Sequence, residues 1–166
     1  MYKMPSNVIE KGFLSEVYSP RKSIAFLMDD TENDQMAYDI IKSVHNFCPN
    51  QTDVCLFIQE ASVLPFTPTC GVFFSELLPV YRGHIVTYSI SSLIDALKLD
   101  FEGKKIFYIR DVVDLSKYHS QMISDIMARK DVIKICSSEN YAKMIKQSTP
   151  SAIIEEEIVE DFNIEQ

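Results

Sequence analysis

The sequence predicts an α/β fold: a single doubly wound, mainly parallel sheet with helices on both faces. Three observations carry this. Short runs that are apolar on both faces recur roughly thirty residues apart, the pattern of strands buried between two helical layers. Polar capping residues follow several of these runs, and apolar positions at helical spacing come next. Strand followed by helix, repeated along the chain, requires parallel strands joined by right-handed crossovers. The chain has 166 residues, 46% hydrophobic and 24% charged. That is about one domain, large enough to bury roughly two-thirds of its unfolded surface without a staple.

Residues 1–22, with Pro5, Gly12 and Pro20 among scattered apolar positions, read as an irregular arm. The Rossmann-like domain is expected over 23–154. Its first strand is SIAFLMDD, and the T-x-x-D pattern from Thr31 to Asp34 caps a helix that carries Met36, Ile40, Ile41, Val44 and Phe47 to Pro49. The second strand is DVCLFIQE. The loop after it is broken by Pro65, Pro68 and Gly71, and its Leu64 and Phe66 either pack on the loop itself or wall a cleft. VFFSELL reads as a helical turn or a hidden strand, ended by Pro79. HIVTYS is the next strand, followed by a helix for which Ser92 and Asp95 have capping-box spacing. KKIFYIRD is another strand, with a helix over roughly 116–129 after it. DVIKICSS, a capped helix and a second short strand after it close the domain.

Residues 155–166 form an acidic tail, with six acids and no base. The net charge is -8, but the rest of the chain is near balance, at 18 acids against 16 bases. A balanced body has no basic surplus for phosphates, so nucleic acid is not an expected partner. The tail reads as solvated surface or as an interaction tail. Cys48, Cys55, Cys70 and Cys136 show neither a CxxC pair nor zinc-ligand spacing. They read as free thiols of a reducing compartment, and a cytoplasmic location is expected. No metal is implied. The N-terminus lacks an apolar signal core, and no apolar run reaches the ~18 residues of a membrane span.

The four glycines make neither GxGxxG nor a Walker loop, so the close backbone approach a pyrophosphate needs is missing. GxSxG and HExxH are absent as well. His45, His84 and His119 are isolated and read as packed or solvated side chains. What remains are polar residues at strand ends: Asp29, Asp30, Glu60, Ser89, Ser91, Arg110, Asp111 and Ser138. In a parallel sheet these ends share one edge and face a crevice. Serines and acids at the same places also serve helix N-termini. Both readings stand on the sequence alone.

DVIKICSSENYAKMIKQ resembles the last strand and helix of the N-terminal, acceptor-side Rossmann-like domain of GT-B glycosyltransferases, where a strand ends in a Ser-Glu turn before a helix. SAIIEEEIVEDF is similar to the family's following strand and crossover, with Phe162 near a frequent Phe, and FYIRDVVDL fits the same plan. The family's usual Asn-Gly turn is replaced by Glu156 and Glu157. In that family the second domain holds the nucleotide-sugar donor, and none follows before Gln166. The resemblance therefore implies a non-catalytic binding, assembly or accessory protein with no cofactor. A homo-oligomer or another protein chain is the expected partner, and an accessory protein of a bacteriophage is one setting. The alternative it implies is a nucleotide-sugar-dependent glycosyltransferase completed by an oligomeric partner. A receiver-like signalling domain shares the acids after the first strand but lacks the later Asp and Lys.

Overall fold

The computed structural model describes residues 22–29, 52–59, 70–100, 103–110, 112 and 115–154. The elements are β1 (Lys22–Met28), β2 (Thr52–Ile58), β3 (Gly71–Phe74), a 3-10 helix (Ser75–Val80), β4 (His84–Thr87), α1 (Ile90–Leu97), β5 (Lys105–Ile109), a 3-10 turn (Leu115–Lys117), α2 (Ser120–Ala128), β6 (Val132–Cys136) and α3 (Glu139–Ser148). The strands make one six-stranded sheet in the order β3-β2-β1-β4-β5-β6, and every neighbouring pair is parallel. The expected α/β, Rossmann-like architecture is the one observed. The chain builds outward from β1 to β3, then returns to the other side of β1 and builds outward again to β6. Strand order therefore reverses between β1 and β4, which makes that junction the topological switch point.

The register explains why the strand sequences are apolar throughout. Leu27 lies beside Phe57 and Thr87, and Thr87 beside Phe107, so one face is a continuous row. Ala25, Leu27, Ile85, Phe107 and Ile109 are buried on it. Against this face α1 packs Ile90, Leu93 and Ala96, α2 packs Ile123, Ile126 and Met127, and α3 contributes Ile145. The opposite face carries Phe26, Met28, Leu56, Ile58, Val86, Tyr88 and Tyr108, all buried. Among the described residues no helical side chain belongs to that second cluster. The helix expected over 31–49, the proline-rich loop, the arm and the acidic tail lie outside the described residues.

Some expectations shift. VFFSELL is both things at once: β3 pairs with β2 through Phe74, and a 3-10 helix follows that contains Pro79. Proline is tolerated there because the loosely bonded 3-10 geometry asks little of its missing N–H. The helix expected from 116 divides into a 3-10 turn and α2, with His119 as N-cap accepting from the Gln121 amide at 3.3 Å. No strand follows α3 at Ala152 to Ile154. The Ile153 amide instead donates to the Met127 carbonyl at 2.9 Å, and Ile154 is buried. That segment docks as coil on the end of α2.

A charged side chain also enters the core. Lys134, 1% exposed, sits on β6 among apolar neighbours. Its ammonium donates to the Arg129 carbonyl just past α2, so the cation serves the negative end of that helix.

Candidate functional site

The candidate site is the carboxyl edge of the sheet at the switch point. β1 ends at Met28 and delivers Asp29; β4 ends at Thr87 and delivers Tyr88 and Ser89. Ser89 is the N-cap of α1. Its Oγ accepts from the Ser92 amide at 3.0 Å, and the Ser89 amide reaches the Ser92 hydroxyl at 3.4 Å. This reciprocal capping box satisfies two of the helix's free amides. It falls one turn earlier than the Ser92 and Asp95 spacing suggests, because α1 begins at Ile90 and places Ser92 at its third position.

The Ser89 hydroxyl also donates to Asp29 Oδ2, joining the two strand ends across the switch point. A carboxylate of the chain is thereby held at the N-terminal end of α1, where the helix dipole favours an anion. In dinucleotide-binding sheets a phosphate takes the corresponding place, approached through glycines. Here the carboxyl group of Asp29 takes that place, and the residues after β1 are not glycines.

Next to this pair, Gln59 follows β2. Its amide nitrogen donates to Asp95 Oδ2 on α1 at 2.7 Å, and Lys98 donates to Asp95 Oδ1 at 2.6 Å. The Gln59 backbone amide donates to the Met28 carbonyl at 3.2 Å. Three strand ends, β2, β1 and β4, are thus tied to one helix.

The predicted residues separate into groups. Asp29 and Ser89 are brought together. Ser91 is exposed on the first turn of α1. Arg110, exposed at the end of β5, accepts at its backbone carbonyl from Ser137 Oγ at 2.8 Å. Ser138 is the N-cap of α3 and accepts from the Tyr141 amide at 3.3 Å. These two belong to the β5–β6 end of the edge, and no hydrogen bond between described residues links them to Asp29 or Ser89. Asp30, Glu60 and Asp111 lie outside the described residues. Gln59 and Asp95 were not foreseen. Gln59 directly precedes Glu60, and its position at a strand end was the available signal.

No group of three or more His, Cys, Asp or Glu able to hold a metal ion occurs among the described residues. His84 Nδ1 accepts from the Lys104 amide at 3.2 Å, a structural use. Cys55, Cys70 and Cys136 are free thiols. Burial pushes the Cys70 thiol up, and it pushes Cys136 up to about 11, opposed by the charge of Lys146. Both are therefore neutral near pH 7 and poor nucleophiles. Among the described residues no helix is long and apolar enough to cross a membrane.

Fold and site together define a protein of Rossmann-like α/β architecture whose switch point is bridged by its own Asp29 and Ser89. Compared with protein-family models, with curated proteins and with solved structures, the chain matches none.

Proposed function

We propose that this chain is a non-catalytic assembly domain, a Rossmann-like unit resembling one half of a GT-B glycosyltransferase, and that its partner is a second copy of itself. The observation that carries this reading is the exposed apolar strip along the edge strand of the described sheet. β3 is the terminal strand, and Phe73, Phe74, Leu77 and Val80 on it and the following 3-10 helix are 43%, 49%, 50% and 70% exposed. Exposed edge strands are ordinarily protected by charge, proline or a covering element; the β3 sequence GVFF has neither charge nor proline. Aromatic residues typical of interface cores back the patch, with Phe57 5.6 Å from Phe73 and 5.4 Å from Tyr81, centroid to centroid. Residues 71–82 contain one acid, Glu76, and one base, Arg82. In a chain of net charge -8, this neutral strip is where two copies approach with little repulsion. Antiparallel pairing of β3 with its copy would also satisfy the outward N–H and C=O groups of both strands.

The arrangement at Asp29 supports a non-catalytic role, because it sets a carboxylate where a nucleotide phosphate would bind. Sedimentation of the full chain tests the proposal. A self-association in the micromolar range, as a small interface gives, is expected, and Phe74→Asp and Val80→Asp should each abolish it while the circular dichroism spectrum is retained. A monomer at 200 µM would overturn the reading. Calorimetric titration with UDP-glucose tests the alternative of a glycosyltransferase completed in an oligomer: micromolar binding, lost in Asp29→Ala and Arg110→Ala, would replace assembly with catalysis.

A further inference from the structure

We infer that the cavity between α2 and α3, remote from the sheet edge at β3, binds a small uncharged molecule with an apolar body and a hydroxyl or amide group. Its volume is about 630 Å³, within the range of about 300–1,000 Å³ typical of small-molecule sites. Leu115, Ile123 and Ile145, exposed by 9%, 9% and 3%, form an apolar floor. Hydroxyls from both helices stand around it.

The state of those hydroxyls decides the chemistry. Ser148 spends its hydroxyl on its own helix, donating to the Met144 and Ile145 carbonyls at 3.0 and 3.1 Å. Ser124 and Thr149 do not: among the described residues neither side chain makes a hydrogen bond, although Thr149 is only 9% exposed. They leave donors and acceptors for a guest. Among the described residues no Asp, Glu, Lys, Arg or His lines the cavity, so within this lining a charged guest would lose hydration without gaining a counter-ion. A neutral guest places its apolar body on the floor and exchanges water for hydroxyl contacts. The inference is independent of the assembly reading, since none of the residues of the β3 patch lines this cavity.

The test uses the full chain, labelled with nitrogen-15, and three six-carbon probes of nearly equal size: hexanamide, hexanoate and hexylammonium. Hexanamide is expected to shift amide resonances around Ser124 and Thr149 saturably, with affinity at least tenfold above either charged probe. Thr149→Val, which keeps the shape and removes the hydroxyl, should weaken hexanamide several-fold, and Ser124→Leu should fill the cavity and abolish the shifts. Equal binding of the three probes, saturable shifts that survive Ser124→Leu, or no saturable shift with hexanamide up to 20 mM would each overturn the inference. If Ser124→Leu fails to fold, the probe comparison on the unmodified chain decides alone.

Discussion

Asp29 and Ser89 were both legible from the sequence as polar residues closing apolar runs, but their partnership was not. It depends on β1 and β4 being neighbours, and strand order is a property of topology rather than of either segment. The same reason hid Gln59 and Asp95, which are 36 residues apart. Removing the Ser89 hydroxyl takes away an N-cap and a cross-strand bond together, so Ser89→Ala should cost about 1–2 kcal/mol in urea unfolding. A double-mutant cycle with Asp29→Ala should give a coupling of about 0.5–2 kcal/mol, and strict additivity would mean that the bond does not stabilise the fold. Cys136 permits a second residue-level prediction. Its thiol ordinarily titrates at 9.0 and in the fold near 11, so the native state keeps a proton that the unfolded chain gives up. The associated stability is full below pH 9 and is lost as pH rises towards about 11, by up to about 2 kcal/mol. Cys136→Ala should show a smaller decline than the parent chain over that interval, which separates this effect from the titration of tyrosines and lysines.

At the scale of elements, five of the six strands were readable because their apolar runs have the length and β-branched content of buried strands. β3 stayed ambiguous: its four residues are mostly exposed and run directly into a 3-10 helix, so its apolar positions show no clear strand period. The coil at Ala152 to Ile154 reads as a strand for the opposite reason. Its two isoleucines are β-formers, but the amide of Ile153 is already engaged by the end of α2. Lys134 satisfies the Arg129 carbonyl while its stem fills space beneath α2. Lys134→Ala loses both and should cost about 2–4 kcal/mol. Lys134→Met keeps the volume and removes a buried cation, whose desolvation opposes the bond it makes, so the net change should stay within about 1 kcal/mol. Thermal unfolding of the two variants separates packing from charge. The neighbouring Arg129–Asp131 pair, at 2.6 and 2.9 Å, holds the Asp131 carboxyl below its usual range. Its side chains are 43% and 53% exposed, so it adds only a few tenths of a kcal/mol. That share is present above about pH 4 and fades as the carboxylate is protonated below it.

For the whole molecule, alternation of strand and helix was enough to specify a parallel α/β sheet, since few other topologies accommodate it. The surface through which such a molecule acts depends on which strand lies at the edge, and that needed the structure. The charge distribution then makes assembly testable beyond a single variant. Two copies meeting at β3 bring together chains of net charge -8 through a strip whose own charges balance. Long-range repulsion therefore opposes an association that apolar contact favours. Salt screens the first, with a Debye length falling from about 30 Å at 0.01 M to about 8 Å at 0.15 M, and leaves the second nearly unchanged. Self-association should consequently tighten, by roughly tenfold or less, between 10 and 150 mM NaCl. Six acids of residues 155–166 account for most of the net charge. Replacing them with Gln and Asn should tighten the low-salt dimer and flatten its salt dependence. Association that weakens with salt would instead mean that opposite charges hold the interface, and the apolar edge at β3 would no longer explain it.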